Sequence, residues 1–229
     1  MRFLGPRPEP RDGDVRGVWA ACSLLLDYPT ETLIATLDQI ETLVPNHPSL
    51  TPVLEHLRRT PLRDLQEEYV ATFDHSRKCA LYLTYFAYGD TRRRGAALLR
   101  FKEVYRAAGA PWNEAAGELP DHLCAVLQFG ATVDADAARQ LLLDHRAGVE
   151  MLRLALTTWK RSEGRGTGSP WLGAVTAVCD TMPALRGEEA DAVRRLVEQG
   201  PPAEEVGLET YGSRPVIATT IPVVAGASR

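Results

Sequence analysis

The stretch that decides the fold is "LRDLQEEYVATF", residues 62–73. Its large apolar residues, Leu62, Leu65, Tyr69 and Phe73, are spaced by three, four and four positions, which places them on one face of an α-helix. The same spacing recurs on both sides of this stretch. The residues that carry it are Leu33, Leu37, Ile40, Val44, Leu98, Phe101, Tyr105 and Ala108. These patterns predict an all-α protein.

The helical pattern extends over most of the chain. It predicts one long segment from about Asp134 to Glu163 and a further helix after the loop "EGRGTGSP". No run before residue 200 is rich enough in Val, Ile and Thr to demand a strand. We therefore expect a single bundle-like domain of roughly eight to ten helices over residues 15–199.

The two ends of the chain differ from this domain. Residues 1–14 interrupt their few apolar positions with proline and charge, and they are predicted to be a flexible segment. Residues 200–229 contain four prolines and four glycines, which forbid a long helix. We expect this Pro/Gly-rich C-terminal tail to be flexible or loosely docked.

Composition and charge exclude several classes of protein. Lys and Arg number 26 against 30 Asp and Glu, a net charge of −4 that gives no support to nucleic-acid binding. The N-terminal residues are not a secretory signal, and no window approaches about 18 uninterrupted apolar residues. A cytoplasmic protein that does not insert into membranes is expected.

Cysteine and histidine positions do not indicate a metal site or a catalytic centre. The four cysteines lie 57, 45 and 55 positions apart without a C-x-x-C pair, and each is in an apolar stretch, so they are predicted to be buried thiols. The histidines form no H-E-x-x-H motif, and there is no G-x-S-x-G motif. We therefore assign no catalytic residue, no metal ligand and no cofactor.

Residues 79–88 of "KCALYLTYFAYGDTRRRG" contain no charge, three tyrosines and one phenylalanine. They predict a buried helix, or one that lines a cavity. In one interpretation these aromatic side chains fill the core. In the other, Tyr82 and Tyr85 line a peptide-binding groove, because amphipathic aromatic residues suit such a surface, with Tyr69 and Phe73 as its opposite wall.

Three consecutive arginines follow this run. Asp90 resembles an N-cap, which would place Arg92, Arg93 and Arg94 in the first turn of a helix, where the dipole disfavours cations. Two interpretations remain open. The arginines form surface ion pairs with acids such as Asp90 or Glu103, or they form a patch that meets an anionic group.

"ELPDHL", residues 118–123, places an acid and a histidine side by side. Pro120 suits the first position of a helix, which would put Asp121 and His122 in the first turn. The aspartate is favourable there, whereas the histidine gains nothing from the position. Because His122 has no matching nucleophile or metal-ligand partner in the sequence, a binding surface is the better interpretation.

Three stretches together resemble a known family. They are "YVATFD" at 69–74, "CALYLTYFAYGDTRRRG" at 79–95 and "ELPDHL" at 118–123. In this order and spacing they are similar to the NarJ chaperones, the delta subunit of respiratory nitrate reductase, within the TorD/DmsD/NarJ group of redox-enzyme maturation proteins. The resemblance covers about residues 15–160.

The resemblance implies an all-α chaperone that is not a subunit of the mature enzyme. Such a protein binds the apo catalytic subunit of nitrate reductase, partly through its N-terminal segment, until molybdenum cofactor is inserted and before membrane docking. Molybdenum-cofactor delivery proteins are further candidate partners. The alternative is a helical small-molecule-binding or regulatory domain.

Combined with the helix patterns, the resemblance predicts a partner-binding groove with acids on its rim. Its lining would be Tyr69, Phe73, Tyr82, Tyr85, Leu119 and Leu123, with Glu118 and Asp121 on the rim. The remaining predicted partner-binding residues are Asp90, Arg92, Arg93, Arg94, Pro120 and His122.

Overall fold

The computed structural model describes residues 12–89, 91–159 and 168–185, together with residues 187, 190, 191 and 193. Within these residues eleven α-helices follow one another. They are α1 (Asp12–Leu25), α2 (Glu31–Ala35), α3 (Leu37–Leu43), α4 (Thr51–Arg59), α5 (Leu62–Tyr69), α6 (Tyr85–Tyr88), α7 (Arg92–Ala107), α8 (Leu123–Thr132), α9 (Ala135–Asp144), α10 (Arg146–Thr157) and α11 (Leu172–Asp180). The predicted all-α class is confirmed.

Two predicted helical segments are each divided in two. The face from Leu33 to Val44 is split because Thr36 turns its hydroxyl back onto the carbonyls of Thr32 and Leu33, at 3.1 and 3.0 Å, and ends α2. The predicted long segment from Asp134 contains α9 and α10, with His145 in a non-helical conformation between them. These divisions bring the number of helices above the predicted eight to ten.

The prediction of one helix over residues 79–88 was wrong, although six of these ten residues are buried, in line with the predicted burial. Only Tyr85–Tyr88 is α-helical, and a 3-10 turn (Arg77–Cys79) precedes an extended strand-like piece at 81–83. The amide of Leu83 donates to the carbonyl of Asp121 at 3.0 Å, so long-range hydrogen bonds replace helical ones. A π-helical turn (Val70–Asp74) continues α5 toward this segment.

Helices α1 and α8 form the centre of the core. α1 contacts α8, α3 and α11, and α8 also contacts α9. The Trp19 side chain on α1 is completely buried, and its indole Nε1–H donates to the Thr181 hydroxyl at 3.0 Å. Gly130 on α8 lies against Trp19, and a Cβ there would be 2.6 Å from both the Trp19 ring and the Ala138 Cβ. The absence of a side chain at Gly130 therefore allows the central helices to approach closely.

All four cysteines are buried free thiols, as predicted. Burial raises the pKa of the Cys124 thiol well above its usual value, which keeps the group protonated.

In the described ranges, no helix combines the length and apolar character needed to span a bilayer. Helix α1 begins at Asp12, three residues before the predicted start of the helical domain at residue 15. Residues 1–11 and the tail at 200–229 lie outside the described residues.

The packing at Gly130 yields a stability prediction. Gly130→Ala should destabilise the protein by about 1–3 kcal/mol, because the added methyl overpacks the α1–α8 contact. The matched control is Gly95→Ala on α7, where an added Cβ meets nothing within 4 Å and alanine should stabilise the helix by up to about 1 kcal/mol. Urea unfolding measures both changes. Equal effects at the two positions would contradict the proposed close packing.

Candidate partner-binding site

The second and third motif stretches meet in a short antiparallel bridge between Tyr82 and His122. Besides the Leu83 bond, the amide of Leu123 donates to the carbonyl of Leu81 at 2.8 Å. Leu81 and Leu83 point inward and are buried, while Tyr82 between them is half-buried, as the alternation of an extended strand requires. The bridge thus turns Tyr82 toward the surface.

A tight turn carries residues 119–122 into this bridge. The amide of His122 donates to the carbonyl of Leu119 at 3.1 Å, and the phenol of Tyr105 on α7 donates to the carbonyl of Pro120 at 2.7 Å. Helix α8 starts only at Leu123, with His122 as its N-cap residue. The prediction that Pro120 opens the helix was therefore wrong, because a proline ring also suits this turn.

Asp121 lies at the centre of a buried polar network. Its side chain has 0% exposure, and Oδ2 accepts hydrogen bonds from the Thr84 amide at 3.1 Å and from the Thr84 hydroxyl at 2.5 Å. Arg94 Nε donates to the same hydroxyl oxygen at 3.1 Å, and Arg94 Nη2 lies 3.6 Å from Oδ2. The predicted position of Asp121 on an exposed rim was wrong.

Arg94 also packs between two tyrosines. Its guanidinium carbon lies 5.2 Å from the centroid of the Tyr82 ring and 5.7 Å from that of Tyr85, which is within range of a cation–π interaction. Only 14% of its side chain is exposed. Arg94 is therefore part of the interior of the site.

The neighbouring arginines behave differently from Arg94. Arg92 and Arg93 are exposed, and within the described part of the chain neither is in an ion pair. All three occupy the first turn of α7, as predicted, but the N-cap residue is Thr91. Asp90 lies outside the described residues. The three arginines thus do not form one patch.

The exposed side of the site combines aromatic, acidic and aliphatic groups. The Tyr82 phenol donates to Glu118 Oε1 at 2.8 Å, and the same oxygen accepts the amide of Leu119 at 2.9 Å. Burial and this hydrogen bond raise the pKa of Tyr82, so the phenol remains a donor. Glu118 is exposed, and Leu119 has 38% exposure despite its large apolar side chain.

His122 lies beneath this exposed layer. Its side chain is only 9% exposed, and its ring packs edge-on against Tyr82 with centroids 5.2 Å apart. Burial lowers the pKa of His122, although the carboxylates of Glu118, Asp27 and Asp121 act in the opposite direction. His122, predicted to belong to a binding surface, is therefore buried beneath that surface, and its lowered pKa keeps the imidazole neutral at pH 7.

The first motif stretch forms an adjoining aromatic cluster. Tyr69 is buried, donates its phenol to the carbonyl of Leu26 at 3.0 Å, and packs against Phe73 with centroids 4.7 Å apart. The Trp171 ring lies 5.6 Å from both. Tyr69 and Phe73 therefore support the site from inside, and they do not form an exposed groove wall. Tyr85 and Leu123 are buried as well.

Two residues of the site were missed by the sequence patterns. The ring of Tyr28 packs edge-on against Tyr69 at 5.5 Å and keeps 43% exposure. The carboxylates of Asp27 and Glu118 both act on the pKa values of Tyr69 and His122, which places Asp27 near the same site. They lie in a short loop after α1, where no helical periodicity marks them.

Four exposed residues of this region and the half-buried Tyr82 define what we call the aromatic–acidic surface. Its members are Asp27, Tyr28, Tyr82, Glu118 and Leu119. A surface of this kind can bury apolar side chains of a partner while its two carboxylates attract cationic ones.

Comparison with known proteins identifies the family. Residues 31–159, more than half of the chain, match the family model described as nitrate reductase delta subunit. The chain belongs to this family. The matched range contains every predicted site residue, and the resemblance to NarJ proteins seen in the motif stretches is confirmed.

Curated relatives agree with this assignment. Over 176 residues the chain is 37% identical to the nitrate reductase-like protein NarX of Mycobacterium tuberculosis, which covers 75% of this chain but only 25% of that relative. It is 34% identical over 140 residues to the nitrate reductase molybdenum cofactor assembly chaperone NarJ of Bacillus subtilis, covering 58% of this chain and 75% of that protein. The chain thus spans about a quarter of NarX.

A solved structure shares the fold. A crystal structure described as a redox enzyme maturation protein from Archaeoglobus fulgidus superimposes with a TM-score of 0.52, over 79% of this chain and 95% of that one. The two sequences are 23% identical, so the likeness concerns the fold alone.

The different environments of the arginines yield a second prediction. Arg94→Gln should destabilise the protein by about 1–3 kcal/mol. The substitution removes the buried hydrogen bond from Arg94 to Thr84 and the buried ion pair of Arg94 with Asp121. Arg93→Gln, one position earlier on the surface, should change stability by less than about 0.5 kcal/mol. Urea unfolding of the two variants decides the matter, and similar values for both would argue against the buried network.

Buried histidines predict a pH dependence of stability. Burial lowers the pKa values of His122 and His145, whereas histidine in the unfolded chain has a pKa of about 6.5, so the unfolded state binds more protons below that pH. The free energy of unfolding should therefore fall as the pH drops below about 6.5 and level off above it. His122→Gln should reduce this slope in urea unfolding between pH 5 and 8. His75→Gln, at an exposed position, is the control, and an unchanged slope in His122→Gln would contradict the assignment.

Proposed function

We propose that this protein is a chaperone dedicated to the assembly of respiratory nitrate reductase. It binds the apo catalytic subunit, including its N-terminal segment, and supports insertion of molybdenum cofactor before the enzyme docks at the membrane. The observation that carries the proposal is the match of residues 31–159 to the nitrate reductase delta subunit family, together with the similarity to NarJ, which is named as a molybdenum cofactor assembly chaperone.

The aromatic–acidic surface is the part of the molecule best suited to hold the N-terminal segment of the client. Tyr28, Tyr82 and Leu119 offer exposed apolar area, and Asp27 and Glu118 lie beside them. Such a surface suits the apolar face of an amphipathic helix whose flanking residues are basic. Both the burial of the apolar face and the attraction between opposite charges would favour the complex.

The other predicted site residues have two roles in this proposal. Tyr69, Phe73, Tyr85, Pro120, His122 and Leu123 are buried and support the surface from inside. The exposed Arg92 and Arg93 form a separate cationic area at the start of α7. They are suited to an anionic group of the apo enzyme or to the phosphates of its incoming cofactor, which delivery proteins would bring.

A role as a chaperone accounts better for this geometry than a role as a small-molecule-binding domain. An open cleft of about 330 Å³ lies between α4, α11 and the loop at Ser49, and His56, Ser169 and Thr176 are among its lining residues. None of the motif residues lines it. The residues that carry the family resemblance instead surround the aromatic–acidic surface. The relative NarJ is likewise named as an assembly chaperone, not as a catalyst.

Titration calorimetry with the N-terminal peptide of the nitrate reductase catalytic subunit tests the proposal. Binding should show a negative heat-capacity change, which marks apolar burial. Leu119→Ser should raise the dissociation constant by about tenfold or more, since burying a leucine side chain contributes about 1.5–3 kcal/mol. The matched control is Leu99→Ser, which changes a leucine with 58% exposure on α7, away from the aromatic–acidic surface.

Coexpression with the full catalytic subunit extends the same comparison to the cell. Molybdenum per client, measured by mass spectrometry, should fall with Leu119→Ser and stay at the wild-type value with Leu99→Ser. If neither the peptide nor the full subunit binds to the well-folded wild-type protein, the chaperone proposal fails. If both leucine variants bind equally well, the client contacts a different surface.

A further inference from the structure

The hydrogen bonds around Thr84 have a fixed direction. A guanidinium group can only donate, so Arg94 Nε–H must donate to the Thr84 oxygen at 3.1 Å. The hydroxyl proton of Thr84 is then directed to Asp121 Oδ2 at 2.5 Å. Thr84 thus connects a cation on α7 with an anion beside α8 through a single hydroxyl group.

This connection determines what supports Tyr82. The guanidinium of Arg94 lies against one side of the Tyr82 ring, and the ring of His122 packs edge-on against it at 5.2 Å. The Tyr82 backbone is held by the bridge to His122, and its phenol is held by Glu118. If Arg94 moved, the ring would lose the charged group that packs against it.

The same network also holds the turn that presents Glu118 and Leu119. That turn closes through the bond from the His122 amide to the Leu119 carbonyl. Asp121 is within the turn, and its carboxylate is tied inward to Thr84. A shift of Asp121 would therefore move both exposed residues of the turn.

We propose that Asp121, Thr84 and Arg94 are positioning residues, which set the arrangement of Tyr82, Glu118 and Leu119 on the aromatic–acidic surface without touching the client. The part of this inference that concerns the client rests on the proposed function. Asp121 and Thr84 both have 0% exposure. The second carboxylate oxygen of Asp121, Oδ1, is also buried, so neither oxygen reaches a partner at the surface.

A pair of substitutions at Thr84 tests the positioning role. Thr84→Val keeps the shape of the side chain but removes the hydroxyl that joins Arg94 to Asp121. Thr84→Ser keeps the hydroxyl and removes only a methyl group. The valine variant should therefore disturb the surface, and the serine variant should leave it as in the wild type.

Two measurements on the chaperone alone report the arrangement of the surface. The first is amide hydrogen exchange at Leu83 and Leu123, whose N–H groups form the bridge. The second is the 19F NMR signal of fluorotyrosine placed at Tyr82. With Thr84→Val, the exchange rate of both amides should rise by about tenfold, which corresponds to the loss of one hydrogen bond. The fluorine signal should shift or broaden. With Thr84→Ser, both should stay close to wild type.

A third measurement links the arrangement to binding. Thr84→Val should raise the dissociation constant for the N-terminal client peptide by about tenfold, and Thr84→Ser should leave it within about twofold of the wild-type value. If Thr84→Val does not fold, Arg94→Lys serves in its place, because lysine keeps the charge but loses the planar group and the Nε–H donor.

The outcomes separate the two proposals. Unchanged exchange and fluorine signals in Thr84→Val overturn the positioning role. A disturbed surface with an unchanged dissociation constant overturns its importance for the client. If the wild-type protein does not bind the peptide while Thr84→Val still disturbs Tyr82, the proposed function fails and the positioning of Tyr82 by Thr84 stands.

Discussion

The buried carboxylate of Asp121 is the constraint on which the site depends. An uncompensated charge in a protein interior is expensive, so Asp121 requires donors from elsewhere in the chain. Thr84 supplies two hydrogen bonds and Arg94 supplies the opposite charge. This requirement explains why the segment before α6 is extended, since a helix there would use the Thr84 amide internally. It also explains a cation in the first turn of α7, where the unfavourable dipole is offset by the nearby carboxylate.

The site is built in two layers with different chemistry. The inner layer contains Asp121, a His122 that burial keeps neutral, and the hydroxyl of Thr84. The outer layer carries the formal charges of Asp27 and Glu118 beside exposed apolar side chains. Because the inner carboxylate is matched by Arg94, the net negative charge offered to a partner comes from the outer layer. For the basic amphipathic segment proposed as client, the attraction would come from these outer carboxylates, since a buried and paired acid contributes little.

Local periodicity could predict the helices but not the joint between the motifs. The three-and-four spacing of Leu62, Leu65 and Tyr69 is set by neighbours in sequence, so it indicates a helix wherever that helix packs. The bridge between Tyr82 and His122 joins residues 40 positions apart, and no local pattern reports such a pairing. One signal was available and was missed. Arg94 lies four, seven and eleven positions before Leu98, Phe101 and Tyr105, on the apolar face of α7, whereas Arg92 and Arg93 lie off it.

Recognition and architecture place different demands on the three motif stretches. Under the proposed function, Glu118 and Leu119 and the outer edge of Tyr82 can change with the sequence of a client, because substitutions at the surface cost little stability. Asp121, Thr84 and Arg94 cannot change singly, because removing one partner leaves a buried charge or donor without its match. The stretches that carry the family resemblance contain both sets of residues. Under the proposed function, the signature would specify how the binding surface is held, and the smaller number of side chains that reach the surface would specify the client.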